Sequence, residues 1–311
     1  MAGIGVVYNP NAKANRARAG RVDRLAEIVG AFGVVRGTES VPHIEEVARE
    51  FRDRAIEVLG ICGGDGSYHC TLTAFHAVYG DTPLPMLLPL RAGTINYVSD
   101  SIGSRRGSPE QVLARVVRDY RYGHTFETTE RDALRINGRE IGFVLSFGSA
   151  VNFLRAYYAR ERQGPWSAAA LLGRVILSAI FHAHLSRAIL VASEADIECD
   201  GEPLPFRQYS VFLAATVNRI ALGFQPTYLG SRKRGYFHVV GGPIPAGRII
   251  RHLVRLYRGF PTSEPTLYDN LAQRMTIRFF RPTAYMLDGD IVSAAERLDV
   301  DVGRRLTLIR H

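Results

Sequence analysis

The feature that most constrains this chain is a change of texture part-way along it. Up to about residue 125, apolar runs of strand length alternate with amphipathic runs of helix length. Residues 4–8, 33–36, 56–61 and 85–90 read as strands, and 18–29, 43–54 and 71–79 carry helical periodicity between them. Pro42 stands where a helix should begin, and Ser108-Pro109-Glu110 opens another with a capping residue followed by proline. Such alternation predicts a parallel sheet with helices on both faces, a fold that binds ligands outside the carboxyl ends of its strands. Beyond residue 125 the pattern turns to short strand-like runs, at 133–136, 141–147, 209–215, 236–240, 275–280 and 306–309. Asn137-Gly138, Asp200-Gly201 and Asp288-Gly289 punctuate them, and each pair favours positive φ and hence a hairpin. The second half is therefore expected to be mostly antiparallel β, with helical insertions at 153–185 and 246–258. The expected division is an α/β domain over 1–125 and a β-rich domain over 126–299, with a strand at about 300–311 returning to the first.

Composition narrows the class. With 311 residues the chain has room for two cores, and 46% hydrophobic against 22% charged residues excludes a disordered polymer. The net charge of +9 comes almost wholly from arginine, Lys13 and Lys233 being the only lysines. That balance suits a nucleotide, a nucleic acid or an acidic membrane surface, and an arginine-rich codon usage would produce it equally well. Cys62, Cys70 and Cys199 form no C-x-x-C pair, which argues against a disulfide framework or a zinc site and for a reducing cytosol. His182 and His184, two apart in a helical run, would face different ways. The apolar run 168–185 is broken by Arg174 and suits a buried or interfacial helix better than a membrane span. Met1 leads straight into the first strand, which reads as no secretory leader.

Three loops at the ends of successive strands carry the chemistry. Asn9-Pro10-Asn11-Ala12-Lys13 follows the first strand, where backbone N–H groups and the Lys13 ammonium can meet phosphate oxygens; an ordinary polar turn would look the same. Gly63-Gly64-Asp65-Gly66-Ser67 follows the apolar run Val58-Leu59-Gly60-Ile61-Cys62. Its glycines admit a bulky anion close to the backbone. An aspartate there makes sense if Mg²⁺ sits between the Asp65 carboxylate and phosphate, or if Asp65 only caps a turn. Pro89-Leu90-Arg91-Ala92-Gly93-Thr94-Ile95-Asn96 offers the Thr94 hydroxyl either to a phosphate or as a helix cap.

Taken in order, these segments resemble the diacylglycerol kinase catalytic-domain family, which includes bacterial diacylglycerol kinases, sphingosine kinases and ceramide kinases. The Asn-Pro turn stands at Asn9-Pro10, the glycine loop at 63–67, and the Gly-Thr-x-Asn segment at Gly93, Thr94 and Asn96. Phe147-Gly148-Ser149-Ala150 is similar to the family's glycine-containing strand end, and Asp288-Gly289-Asp290 to its late Asp-Gly-Glu. The resemblance implies an NAD kinase-like α/β domain followed by the β domain, and a lipid kinase transferring the γ-phosphate of ATP, with Mg²⁺, to a hydroxyl of a membrane lipid. It implies ATP contacts from Asn9, Lys13, Gly63, Gly64, Asp65, Gly66, Ser67, Gly93, Thr94 and Asn96. It gives Asp288 the role of accepting the lipid hydroxyl's proton, and Asp290 that of placing the metal or nucleotide. Ser67 for threonine, His69 and Cys70 for Asn-Glu, and Tyr97 for aspartate depart from the pattern. Ser231-Arg232-Lys233-Arg234-Gly235 aligns with a usually acidic segment. Arginine cannot ligate a cation, so the accessory metal site of the bacterial enzymes is expected to be absent. These departures make a ceramide or sphingoid acceptor as credible as diacylglycerol.

Arg248, Arg251, Arg255 and Arg258 fall on one face of the helix at 246–258, with Ile249, Ile250, Leu253, Val254, Leu256 and Tyr257 on the rest. That pattern suits peripheral contact with an anionic membrane at its cytoplasmic, inner surface, or a packed helix with a solvated basic face. Trp166, Leu171, Leu172, Val175, Ile176 and Phe181 could line an acyl path or fill a core. The rival readings are a soluble-metabolite kinase of the NAD kinase type, which shares the glycine loop, and a non-catalytic ATP-binding regulatory protein. Nucleic acid is not an expected partner, since no zinc-finger spacing or aromatic-and-basic motif is present. A homodimer is compatible with the family, and no residue decides it.

Overall fold

A computed structural model describes residues 3–93, 96–104, 107–160, 164–181 and 184–311. The chain forms two compact units: Met1–Arg131 with Arg305–His311, and Asp132–Arg304.

The first unit is built on parallel strands. Ile4–Tyr8 lies between Gly33–Gly37 and Val58–Gly63, and Met86–Arg91 follows on the far side of Val58–Gly63. Leu308 pairs in parallel with Leu87 at the next position. Strands buried on both faces read as continuous apolar runs, and IGVVY is buried throughout. The Arg21–Val29 and Pro109–Arg121 helices pack together, as do Val41–Asp53 and Asp65–Tyr79. Leu25, Val29, Val112, Leu113 and Val116 join Ile4, Val6, Leu88 and Leu90 in one core. Phe51 and Phe75 meet edge to face at 6.0 Å between the other helix pair. Helix starts follow local chemistry. Ser40 accepts from the His43 N–H with Pro42 in the first turn, and Ser108 with Gln111 forms a reciprocal capping box before Pro109.

The second unit is antiparallel. Its strands run in the order Tyr268–Ala272, Phe237–Gly242, Val211–Ala215, Val144–Gly148, Arg274–Leu287, and then the strand beginning at Asp290. Ser193–Cys199 also pairs with Arg274–Leu287. Phe147 anchors the core, stacked on Phe212 at 4.4 Å and edge-on to Phe279 at 5.0 Å. Asp200 with Gly201, and Asp288 with Gly289, have positive φ at both residues, the two-residue turn those dipeptides predict. The expected strand at 141–147 is instead two, Glu140–Gly142 and Val144–Gly148. The reason is that the N–H groups of Phe143 and Val144 both turn to the Asp288 carboxylate, at 2.8 Å each.

The insertion expected at 153–185 is three helices: Ser149–Tyr158, Pro165–Ile180 and His184–Ile189. Leu171 and Val175 pack with Tyr157 and Ile189, but Trp166 is 89% and Phe181 76% exposed. No helix among the described residues is long and apolar enough to cross a membrane. The Ala246–Arg258 helix buries none of its residues. It is tethered through Glu264, which takes hydrogen bonds from Arg248 at 2.7 Å, Thr266 at 3.0 Å and His252 at 3.3 Å. Burial pushes the Glu264 carboxyl up, but the Arg248, Thr266 and His252 hydrogen bonds outweigh it and hold the pKa at about 2, against 4.5 for the ordinary group. A lowered folded pKa adds stability that is complete above 4.5 and fades as pH falls toward about 2. The melting difference between wild type and Glu264→Gln should therefore be constant near neutrality and close progressively in an acid titration below pH 4.5.

Candidate active site

From Ile4–Tyr8 the chain passes to a strand on one side, Gly33–Gly37, and then to Val58–Gly63 on the other. This reversal opens a crevice at the carboxyl ends of Ile4–Tyr8 and Val58–Gly63, the place where open α/β sheets bind ligands. The three loops predicted to carry phosphate chemistry meet there. The Asn9 N–H donates to the Cys62 carbonyl at 3.0 Å, and its side-chain amide to the Ser67 hydroxyl at 2.8 Å. The Ala92 N–H donates to the Gly63 carbonyl at 3.1 Å, and the Ala14 N–H to the Ala92 carbonyl at 3.2 Å.

The glycine segment is a helix start rather than a free loop. The helix expected from residue 71 begins at Asp65, so that Asp65, Gly66 and Ser67 form its first turn. Gly64 occupies the N-cap and no side chain caps the helix. A 15-residue helix opening at the carboxyl end of a strand, with backbone in place of a capping side chain, is the usual setting for a phosphate group. Gly93 comes down on Gly64 from the neighbouring loop. A Cβ on Gly64 would lie 3.2 Å from the Gly93 Cα, and one on Gly93 would collide with the Gly64 Cα. Bare backbone is thus required on both sides. Gly93→Ala should part the two loops at a cost of about 1–3 kcal/mol, as overpacking does. Its ATP-induced rise in melting temperature should shrink with it, which a thermal-shift titration reads directly.

Asn96 closes the third loop on itself. Its side-chain oxygen accepts from the Gly93 N–H at 3.0 Å and its amide donates to the Gly93 carbonyl at 2.8 Å, with its own φ at 53°. It is also the N-cap of the Tyr97–Ser101 helix, a place the sequence assigned to Thr94. Thr94 itself lies outside the described residues. Arg91 braces the loop through Asp100 at 2.7 Å and the Ser104 carbonyl at 3.1 Å. Lys13 opens the short Lys13–Arg16 helix and is exposed to solvent.

Beneath the first loop lies a buried polar network that sequence reasoning missed. The Asn15 amide donates to the carbonyls of Asn9 at 2.7 Å and Cys62 at 3.1 Å. Arg21, 5% exposed, donates to the Asn15 oxygen at 2.9 Å, the Ala14 carbonyl at 2.8 Å and Glu110 at 2.8 Å. Burial, relieved only in part by Arg21 and Asn15, pushes the Cys62 thiol up to about 12, so it stays a neutral packing group.

In the second unit, Asp288 is fully buried at the turn between Arg274–Leu287 and the strand from Asp290. Its carboxylate accepts the two N–H bonds from Phe143 and Val144, and its own N–H donates to the Val144 carbonyl at 3.0 Å. Asp290 pairs with Leu287 across that turn and is partly exposed.

The donors at the crevice fit a nucleotide's phosphates: a helix N-terminus, facing glycine backbones, and the Asn9 and Ser67 side chains. Among the described residues no three His, Cys, Asp or Glu side chains gather to hold a metal unaided. A cation at Asp65 would need phosphate oxygens as its other ligands.

Residues 3–122 match the family model described as the diacylglycerol kinase catalytic domain. No curated protein matches the chain. Three structures from Bacillus anthracis str. Sterne, each assigned as a diacylglycerol kinase, share its fold. They align over 99% of this chain and 97% of their own, with TM-scores of 0.71, 0.66 and 0.69 and identities of 12%, 12% and 13%. Unit by unit the architecture agrees: a parallel sheet between helix pairs, then antiparallel strands. The segment that builds the glycine-lined crevice, residues 3–122, is thus the part of the chain that is similar to the diacylglycerol kinase catalytic domain.

Proposed function

We propose that the protein transfers the γ-phosphate of ATP to a hydroxyl group of a membrane lipid, of the ceramide or sphingoid type or a diacylglycerol. The observation that carries this reading is the close approach of Gly64 and Gly93 at the N-terminus of the Asp65–Tyr79 helix, within the matched domain. Backbone N–H groups there would hold the phosphates, with the Asn9 and Ser67 side chains beside them and Lys13 and Thr94 adding donors. Mg²⁺, when bound with the nucleotide, would neutralise charge on the transferred group, with the Asp65 carboxylate as its ligand from the protein. Asp288 takes the proton of the attacking hydroxyl, and Asp290 helps position metal or nucleotide. Phosphoryl transfer runs through a loose transition state, so positioning and charge neutralisation outweigh deprotonation.

Access to a lipid favours peripheral contact at the cytoplasmic surface of a membrane. Its support is the Ala246–Arg258 helix, which buries no residue, leaves Val254 64% and Tyr257 55% exposed, and carries arginines beside them. The test is transfer from labelled ATP with Mg²⁺ to diacylglycerol, ceramide and sphingosine in mixed micelles, with NAD as a soluble competitor class. One labelled lipid supports the reading and names the acceptor. Labelling of NAD alone, or of nothing while ATP binds, overturns it.

A further inference from the structure

A cavity of about 460 Å³ in the second unit is lined by Asn218, Gln225, Tyr228, Ser231, Arg232 and Arg258. Its size falls within the usual range of small-molecule sites. Its chemistry is one-sided: two guanidiniums, two hydroxyls and two amides, and no carboxylate among the described lining residues. Neither Arg232 nor Arg258 has an acidic partner among the described residues. Asp269, which the Tyr228 ring of the wall reaches, is occupied by the Tyr228 hydroxyl at 3.2 Å and by His238 at 2.7 Å. Arg232 is nonetheless placed. Its guanidinium lies 6.0 Å over the Tyr228 ring, and that ring stands edge-on to the fully buried His238 at 4.9 Å. Arg258 ends the Ala246–Arg258 helix, whose last carbonyls would repel an anion. That repulsion is blunted, because the Gln225 N–H donates to the Leu256 carbonyl at 2.7 Å and its side chain to the Tyr257 carbonyl at 3.3 Å. Phe260, also lining the cavity, is 55% exposed, as is Tyr257 one turn-end away. An anion site rimmed by exposed aromatic rings, on a helix that buries nothing, matches a phosphate at the head of a lipid, with the rings at headgroup depth.

We propose that this cavity binds the phosphate headgroup of an anionic phospholipid in the membrane, a site separate from the one that phosphorylates the acceptor. The two guanidinium forks take the phosphate oxygens, Ser231 and the amides complete the shell, and Tyr257 and Phe260 enter the interface. The inference rests on the reading that the protein works at a membrane, and its test omits ATP so that the two fail separately. The full chain is floated with vesicles of phosphatidylcholine alone and of phosphatidylcholine with phosphatidylglycerol. Arg232→Ala with Arg258→Ala should weaken binding to the anionic vesicles on the order of 10- to 30-fold, the worth of two basic groups at such a surface. Both positions are exposed, so the fold should survive, which circular dichroism checks. Lysine at both positions keeps the charge but loses the fork and should restore binding only in part. Transfer to a short-chain acceptor dissolved below its micelle-forming concentration, which needs no interface, should stay at the wild-type rate. Full rescue by lysine, or an equal loss in Arg219→Ala with Arg278→Ala, both exposed and off the helix, would reduce the effect to diffuse charge and overturn the site. Glycerol phosphate in solution blocking the docking at micromolar concentration would make the ligand a free phosphate ester and overturn the lipid assignment.

Discussion

Asp288→Asn is expected to lower lipid phosphorylation by about 10²–10⁴-fold, the range for losing a general base, without unfolding the protein. The separation is possible because of what the carboxylate does in the fold. One of its oxygens receives the N–H groups of Phe143 and Val144, and an asparagine carbonyl accepts them equally well. Asn also tolerates the left-handed backbone at this position, where φ is 51°. Asp288→Ala is different, since it strands two buried N–H groups at about 1–3 kcal/mol each. The pair of variants should divide cleanly: Asn inactive with a near-native melting temperature, Ala both inactive and less stable. An Asn variant that keeps its turnover would make Asp288 a strand lock and leave the proton to water or to the phosphate itself.

Asp65→Asn should cost about 10²–10³-fold in kcat, comparable to removing one electrostatic element of a transition-state clamp. Its effect on stability should be small, at most the roughly 0.3–1 kcal/mol that an acid contributes in the first turn of a helix. The more telling readout is the coupling between metal and nucleotide. In the wild type, Mg²⁺ should tighten ATP binding, and in the variant that dependence should flatten. Calorimetric titration of ATP at several Mg²⁺ concentrations separates this from a general loss of affinity. An unaltered metal dependence would remove Asp65 from the metal's surroundings.

What the sequence made legible is what is local. The Asp-Gly turns could be read because two adjacent residues set both positive φ angles, at Asp200 with Gly201 and Asp288 with Gly289. The parallel sheet of the first unit follows from alternation, and the glycine segment was visible as composition. Its helical start was not, because glycines at 64 and 66 lower any helical expectation there. The packed helix beyond them overrides that preference from Asp65 onward. Distance in the chain hid the rest. Arg21 reads as a solvated arginine on an amphipathic helix, and its partner Glu110 is 89 residues away. The break between Gly142 and Val144 is caused by a carboxylate 145 residues downstream of Phe143. Ser193–Cys199, with acids at alternate positions and only one face buried, offered too few apolar residues to stand out as a strand. Nor could apolarity tell Leu171, 3% exposed, from Trp166 on the same helix, 89% exposed.

The sheet of the first unit is not finished by the first part of the chain. Leu306, Leu308 and Ile309 are buried to within 2% exposure, Leu308 beside Leu87, and Ile309 belongs to the same core as Ile4 and Val58. A ribosome releasing residues 1–131 has therefore delivered a domain with one edge of its sheet unpaired. That edge, Met86–Arg91, stays open until about 170 further residues have been made. Nascent chains should depend on a holdase during that interval, and a fragment stopping at residue 131 should aggregate where the same fragment with residues 305–311 joined on by a short linker stays dispersed.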